Sequence, residues 1–274
     1  MTEATGSAEA GDQVPATDDV SELIDLWDQQ QAAYITHRER RFDIMLEVLE
    51  DRLADDDRFT STGEGAVVLD LACGPGSLSA RIAKRFPEIR VIAVDYDPVL
   101  LAIAAAGPGC GGRISTVDLD LAARDWTDAL PVDTVDFAVS STALHWLAPH
   151  DLAAMYAALA TVIRPGGLFL NADHLRYNRD IQPLLHDLAA RDDEHTQSAA
   201  REGGALTWEQ WWSLAAQHPI GAPLVAERER RFADRPPTPH ASVNFHRQAL
   251  EVAGFAETGT VWQHYDDYVL LARR

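Results

Sequence analysis

The chain has 274 residues, 46% of them hydrophobic and 24% charged, a length that predicts about two domains or one large domain with an insertion. Two cysteines are too few for a disulfide framework, no apolar run approaches the ~18 residues of a membrane span, and residues 1–37 lack the basic residues of a signal peptide. We therefore expect a cytoplasmic protein. Its net charge of −20 repels nucleic-acid backbones and anionic lipids, so we expect neither nucleic-acid nor membrane partners.

The first sixty residues divide into a polar tail and a helical segment. Residues 1–19 are rich in Ala, Thr, Gly and acids, which predicts a disordered tail. From Leu23 to Leu53, apolar residues recur at three- and four-residue steps. This period predicts one long helix or two shorter ones, forming a helical cover over residues 20–60.

Short apolar runs then alternate with helical stretches. The predicted strands are 66–71, 90–95, 113–120, 135–141 and 167–173, and the predicted helices between them are 77–86, 97–106 and 150–163. This alternation is typical of an α/β protein whose parallel sheet is covered by helices, here over residues 61–175. Residues 176–240 do not follow this alternation of strands and helices, and their helical character predicts an inserted helical lid. Residues 241–274 add a helix and two strands that complete the core sheet.

A glycine turn follows the first predicted strand, in the sequence LDLACGPGS over residues 69–77. Glycine permits positive φ and close backbone approach to a ligand, and such a turn lies at the carboxyl ends of parallel strands. Asp95 ends the next strand, where a carboxylate can accept hydrogen bonds from ribose hydroxyls. Both features predict a nucleoside-binding site.

Two cofactor classes compete for this site. A dinucleotide site favours a third glycine and a pyrophosphate at the helix N-terminus, but here Ser79 stands in the third place and Asp70 precedes the turn. An acid at Asp70 would repel a pyrophosphate and attract an ammonium group. A cofactor with an amino-acid end and a nucleoside end, such as S-adenosylmethionine, therefore fits better.

The ordered segments resemble a known family. LDLACGPGS is similar to motif I of the class I S-adenosylmethionine-dependent methyltransferases, and VIAVDYDP is similar to their motif II. ISTVDLDL, VDFAVSSTALHW and IRPGGLFLNAD resemble the third, fourth and fifth segments in the same order. The ALHW sequence resembles the small-molecule branch that includes trans-aconitate methyltransferase. The resemblance implies a Rossmann-like, seven-stranded, mostly parallel sheet with helices on both faces.

The resemblance also implies roles for individual residues. The cofactor residues carried over are Asp70, Ala72, Cys73, Gly74 and Gly76 at the methionyl end, Asp95 at the ribose, Tyr96, Asp120 and Leu121 at the adenine, and Ser140 beneath the cofactor. Asp118 is the alternative to Asp120. In methyltransferases of this kind the preceding helix closes over the cofactor, which assigns Arg38 to its carboxylate, with a solvated surface arginine as the alternative.

The acceptor is expected beside the carboxyl ends of the fourth and fifth strands. His145 follows the fourth strand, where an imidazole is suited to act as a general base, although it would also fit as a packing residue. The predicted substrate-binding residues are Tyr34, Trp146, His174 and Arg176. Trp146 would equally fit the core.

The sequence thus predicts a methyltransferase that moves a methyl group from S-adenosylmethionine to a small molecule. The expected acceptor atom is oxygen, and a carboxylate oxygen is one form of it. The alternatives are a nicotinamide-dependent oxidoreductase and a catalytically inactive, cofactor-binding regulatory protein. No spacing of the ten histidines matches a metal motif, so we predict no metal. A monomer or a homodimer is expected.

Overall fold

A computed structural model of the chain describes residues 17–107, 112–235 and 241–274. Most of the tail predicted over residues 1–19 lies outside the described residues. Among the helices that are described, none combines the length and the apolar character needed to cross a bilayer.

Two helices precede the sheet, α1 (Val20–Tyr34) and α2 (Arg38–Asp55). The side chain of Asp19 caps α1 by accepting a hydrogen bond from the backbone N–H of Ser21 at 2.8 Å. The break between the helices includes His37, a non-glycine residue with a φ of 57°. Of the two arrangements predicted for this segment, the chain therefore adopts two helices.

Within the described residues, seven strands form one sheet in the order β3-β2-β1-β4-β5-β7-β6. The strands are β1 (Val67–Leu71), β2 (Arg90–Asp95), β3 (Ile114–Asp118), β4 (Val135–Ser141), β5 (Ile163–His174), β6 (Glu257–His264) and β7 (Asp267–Arg273). Strands β1 to β5 pair in parallel, whereas β7 pairs antiparallel with both β5 and β6. The predicted α/β class and mostly parallel Rossmann-like sheet are confirmed. The third strand ends two residues earlier than predicted, which leaves Asp120 in the following loop.

Helices cover both faces of the sheet. The remaining helices are α3 (Ser77–Arg85), α4 (Pro98–Ala106), α5 (Pro149–Val162), α6 (Pro183–Glu202), α7 (Trp208–Gln217), α8 (Val225–Phe232) and α9 (Val243–Ala253). Successive residues of a strand point to opposite faces, so Leu69 packs in the cluster with α5 and α9, while Val68 packs in the cluster with α2 and α3. Both faces are therefore buried, which explains the apolar runs in the sequence.

The predicted lid packs against the first helix. Trp211 of α7 is fully buried, and its indole N–H donates to the backbone oxygen of Leu23 in α1 at 3.1 Å. Trp27 of α1 contacts the same indole with ring centroids 4.5 Å apart. α1 and α7 therefore share one apolar cluster, which also includes residues of α4.

The strand order reverses between β1 and β4. From β1 the chain moves outward to β2 and β3, and then returns to place β4 on the other side of β1. A crevice forms outside the carboxyl ends of the strands at such a reversal, and ligands of doubly wound proteins bind there.

Candidate active site

A cavity of about 680 Å³ lies at the carboxyl ends of the central strands, which is within the size range of small-molecule sites. Thirteen of the predicted site residues line it: Tyr34, Arg38, Asp70, Ala72, Cys73, Gly74, Asp95, Tyr96, Asp120, Leu121, His145, Trp146 and His174. The acids Asp70 near the end of β1, Asp95 at the end of β2 and Asp120 after β3 therefore share one cleft with His145.

The glycine turn forms one wall of this cavity and requires positive φ at three positions. The φ angles are 55° at Ala72, 56° at Gly74 and 87° at Gly76. The backbone N–H of Gly74 donates to Oδ2 of Asp95 at 2.7 Å, so the turn after β1 is tied to the end of β2. The φ of Gly76 is strained for a residue with a side chain, which explains the glycine, and a Cβ there would lie 3.4 Å from the Cβ of Ala104 in α4.

Asp70 lies at the base of the cavity and is almost completely buried. Its Oδ2 accepts a hydrogen bond from the hydroxyl of Ser79 at 2.6 Å. Burial raises the pKa of Asp70 to about 7, and the neighbouring Asp95 carboxylate adds to that shift. A cationic group beside Asp70 would reverse the effect, because it would stabilise the ionised carboxylate.

Asp95 ends β2, and both of its oxygens accept backbone hydrogen bonds. The N–H of Asp97 donates to Oδ1 at 2.7 Å, and that of Gly74 donates to Oδ2 at the same distance. Burial raises the pKa of Asp95 to about 6 although these hydrogen bonds favour the charged form. Each oxygen of a carboxylate has a second lone pair, so both can still accept from a ligand diol.

The structure separates Asp118 from Asp120. Asp118 forms a two-pronged ion pair with Arg231, with N···O distances of 2.6 and 2.8 Å, and it does not line the cavity. Asp120 does line the cavity, and its Oδ1 accepts from the N–H of Ala122 at 2.9 Å. The side chains of Leu119 and Leu121 flank it and give this end of the cavity apolar walls.

His145 lies on a short 3₁₀ turn that follows β4, opposite the acids. Its ring Nδ1 is 2.6 Å from Oδ1 of Asp173, and its backbone N–H donates to Oδ2 of the same residue at 3.1 Å. Burial alone would raise the pKa of Asp173, but the attraction and hydrogen bond of His145 lower it to about 2. A carboxylate accepts hydrogen bonds only, so Nδ1 carries the proton and Nε2 is left for a cavity ligand.

The acceptor end of the cavity contains aromatic and imidazole groups. Trp146 is 55% exposed and lines the cavity, so the alternative that placed it in the core is wrong. His174 lines the same region, and its Nδ1 forms an ion pair with Asp267. Asp267 also pairs with the buried Arg41 at 2.5 Å. Tyr34 reaches this cavity from the last turn of α1.

Three predicted residues lie outside the cavity lining. Ser140 is fully buried, and its hydroxyl donates to the backbone oxygen of Leu71 at 2.9 Å, which holds β4 against β1. Arg176 instead pairs with Asp193 at 2.6 Å, because that carboxylate lies on the adjacent face of α6. Gly76 lies behind the turn, against α4. The assignment of these three residues to the ligand surface stays a prediction.

Arg38 lines the cavity and also belongs to an ionic network between helices. Its guanidinium donates to Oδ1 of Asp28 at 2.9 Å, and Asp28 also accepts from Ser77 and Arg81. The alternative of a solvated surface arginine is wrong, since Arg38 is only 5% exposed. This network joins α1, α2 and α3 over the glycine turn.

The sequence did not identify the roof of the cavity. The unpredicted lining residues of α1, α7 and α8 are Trp27, Gln30, Gln31, Trp208, Trp212, Arg228 and Phe232. Gln30 is fully buried, and its side-chain NH₂ has no hydrogen-bond partner among the described residues. The guanidinium of Arg228 lies 3.5 Å from the ring centroid of Trp212 and donates to Asp97 at 2.6 Å. The helical spacing of the tryptophans was the available signal, but it did not distinguish core from cavity.

Comparisons with known proteins address the same segments. Residues 68–167 match the family model described as "Methyltransferase domain". The trans-aconitate 2-methyltransferase of Mycobacterium tuberculosis is 31% identical over 192 aligned residues, covering 60% of this chain and 69% of that protein. The chain belongs to the class I S-adenosylmethionine-dependent methyltransferases.

Other relatives of this methyltransferase match over a smaller fraction of their own length. The trans-aconitate 2-methyltransferase of Streptomyces avermitilis is 36% identical over 128 residues, covering 45% of this chain and 42% of that protein. Across three such relatives the matched chain spans 42% to 56% of their length, or about half. Among solved structures, the CurJ carbon methyltransferase has a TM-score of 0.55 at 14% identity, covering 93% of this chain and 60% of that chain. That structural likeness supports the fold.

Proposed function

We propose that this chain transfers a methyl group from S-adenosylmethionine to an oxygen atom of a small molecule. The observation that carries the proposal is one cavity lined by the three acids and by His145, whose ring is held by the buried Asp173. Family membership and the names of the relatives support the same reaction class.

The three acids match the polar groups of the cofactor. Asp70, buried and without an arginine partner of its own among the described residues, would pair with the ammonium group of the methionyl end. Asp95 would accept from the ribose hydroxyls, and Asp120 from the adenine amino group. The unpartnered NH₂ of Gln30 and the guanidinium of Arg38 would donate to the cofactor carboxylate. When bound, S-adenosylmethionine supplies a methyl group on a positively charged sulfur.

The chain's own task in such a reaction is alignment and exclusion of water. An in-line displacement needs the acceptor oxygen held opposite the sulfur, with the reacting atoms about 3–3.5 Å apart. Tyr34, Trp146 and His174 enclose the acceptor end, and Trp208 and Trp212 cover the cavity from above. These side chains would hold the acceptor in place and keep water from the methyl group.

His145 would remove a proton where the acceptor is a hydroxyl. Asp173 fixes the tautomer, so Nε2 can take the hydroxyl proton as the oxygen lone pair forms the new C–O bond. S-adenosylmethionine would supply the methyl group and leave as the neutral thioether, and the Asp173 carboxylate would stabilise the imidazolium formed at His145. This pair of residues therefore favours an alcohol or a phenol as the acceptor.

A carboxylate acceptor is the second candidate, and the names of the curated relatives favour it. A carboxylate is already nucleophilic and needs no base, so a cationic side chain would be the main requirement for binding it. The pH profile of turnover separates the two candidates. A hydroxyl acceptor gives a pH-dependent rate that His145→Ala abolishes, whereas a carboxylate acceptor gives a rate independent of His145.

The experiment that tests the function is a screen of metabolite extracts with S-adenosylmethionine labelled in its methyl group. We expect one small molecule to gain the label and the mass of a CH₂ group. Calorimetry with S-adenosylhomocysteine and with NADH is the accompanying binding test. Binding of NADH alone would restore the oxidoreductase alternative, and cofactor binding without any labelled product would favour the inactive regulatory protein.

A further inference from the structure

The loop between α1 and α2, helix α6 and strand β6 bring two imidazoles and a carboxylate together outside the cavity. The residues are His37, Asp192 and His264, and their candidate ligand atoms all lie within 4.8 Å of one another. His264 Nε2 is 3.0 Å from Oδ2 of Asp192, and the rings of His37 and His264 have centroids 4.4 Å apart. We propose that these three side chains bind a divalent transition-metal ion such as Zn²⁺.

The composition of this cluster, which we call the His–Asp–His cluster, suits such an ion. Two imidazoles and one carboxylate are ligands that Zn²⁺ accepts, with the fourth position left to water. Tetrahedral Zn²⁺ with bonds of about 2.1 Å places its ligand atoms about 3.4 Å apart. Small side-chain rotations would therefore bring the three atoms into position. The prediction of no metal relied on spacing along the chain, which cannot detect ligands from three separate elements.

The backbone at His37 is a second, independent observation. Its φ of 57° is unusual for a residue with a side chain, and His37 makes no hydrogen bond that caps α2. Such a conformation persists where the surrounding structure holds it in place, and it is frequent at functional sites. Here it turns the exposed imidazole toward Trp262 and His264, with ring centroids 5.9 and 4.4 Å away.

An ion bound here would clamp the cover onto the sheet. His37 lies between Ile35 and Arg38, and both of those residues line the cavity. The neighbouring hydroxyl of Thr36 already donates to Asp193 of α6 at 2.9 Å, so the loop and α6 meet at this point. The ion would connect the loop between α1 and α2, and helix α6, to β6. It would thereby hold the lining residues of α1 and α2 over the cavity.

Calorimetry with ZnCl₂ on the chelator-treated full chain tests the site. We expect one ion per chain. The affinity for the ion should be at least tenfold weaker in His37→Asn and in Asp192→Asn, because mutation of a residue that only supports a metal ligand already costs about tenfold. Asparagine tolerates the left-handed conformation, so His37→Asn keeps the loop. The matched control is His186→Ala, which removes a half-buried histidine near an acid on the same helix α6 and should leave metal binding as in the unmodified chain. Equal losses in the control and the cluster variants, or no loss in either, would show an adventitious ion only and overturn the site.

The fluorescence of Trp262 measures metal binding independently of calorimetry. Its ring stacks on His264 with centroids 6.3 Å apart, so Cu²⁺ or Co²⁺ at the cluster should quench its fluorescence. Trp262→Phe should remove that quenched component while the metal still binds. Quenching that is unchanged in Trp262→Phe would place the ion elsewhere and overturn the assignment.

The clamp rests on the proposed function, whereas metal binding itself does not. If the ion holds the cover, saturating Zn²⁺ should raise the affinity for S-adenosylhomocysteine by about fivefold or more, with the reciprocal effect on Zn²⁺. Binding of both ligands without coupling would overturn the clamp and leave the metal site supported. Absence of S-adenosylhomocysteine binding would count against the proposed function instead.

Discussion

The floor and the roof of the cavity are built in different ways. The floor consists of residues at the ends of β1, β2 and β4 and in the loop after β3, where backbone hydrogen bonds hold Asp70, Asp95 and Asp120 within a few residues of a strand. The roof consists of side chains from α1, α7 and α8, which reach the cavity through packing between distant segments. The position of a floor residue therefore follows from the local sequence, and that of a roof residue does not.

The largest expected effect concerns the floor at His145. His145→Ala should lower kcat by about 10²–10⁴-fold, the usual contribution of a general base, while the affinity for S-adenosylmethionine stays nearly constant. Steady-state kinetics together with calorimetry measure the two quantities. The matched control is His150→Ala, which removes an exposed imidazole from the next helix. An unchanged kcat in His145→Ala would mean that the acceptor needs no base.

The next effect concerns the acid at the end of β2. Asp95→Ala should weaken cofactor binding by about 1.5–3 kcal/mol, because it removes charge-assisted hydrogen bonds to the ribose. Asp118→Ala is the control, since Asp118 ends the neighbouring strand but pairs with Arg231 outside the cavity. If both variants lost affinity equally, the distinction between cavity acids and surface acids would be wrong.

A smaller effect is expected from pH. The pKa of Asp70 is raised to about 7 in the ligand-free chain, and a cationic ligand requires the ionised form. Affinity for S-adenosylmethionine should therefore rise by about fivefold from pH 6 to pH 7 and level off at higher pH, with proton release on binding. The same shift stabilises the ligand-free fold most at acid pH, and that stability is lost as pH rises through about 7. Calorimetry in two buffers of different ionisation heat measures the released protons, and affinity independent of pH would contradict the role of Asp70.

The smallest effect is expected from the roof. Phe232 of α8 lies with its ring centroid 5.6 Å from that of Tyr96, and it lines the cavity. Phe232→Ala should weaken cofactor binding by about 0.5–1.5 kcal/mol, the contribution of one aromatic contact. Calorimetry on Phe232→Ala and on Asp95→Ala compares the two losses of cofactor affinity. A loss as large as that of Asp95→Ala would show that the roof determines cofactor binding as strongly as the floor.

The same contrast explains what the sequence predicted. The sheet, the glycine turn and Asp95 were predictable because their signals are local. The hydrophobic period, the glycines and the acid at a strand end each determine structure within a few residues of the chain. Asp173 could not be assigned to His145, since His145 lies on the turn after β4 and Asp173 lies in β5, and their 2.6 Å contact depends on sheet order. The pairing of Arg176 with Asp193 could not be predicted either, because Asp193 comes from α6, whose placement no local pattern determines.

The bond between the indole of Trp211 and the carbonyl of Leu23 has a consequence for folding. The two partners are 188 residues apart, so α4 covers only part of the apolar side of α1 until most of the chain has been synthesised. Contacts with such long sequence separation close large loops and are slow to form. We therefore expect refolding in two kinetic phases, with early consolidation of the strands and later docking of α1 against α7. Until the second phase is complete, newly made chains would expose Trp27 and Leu23 and be prone to aggregation.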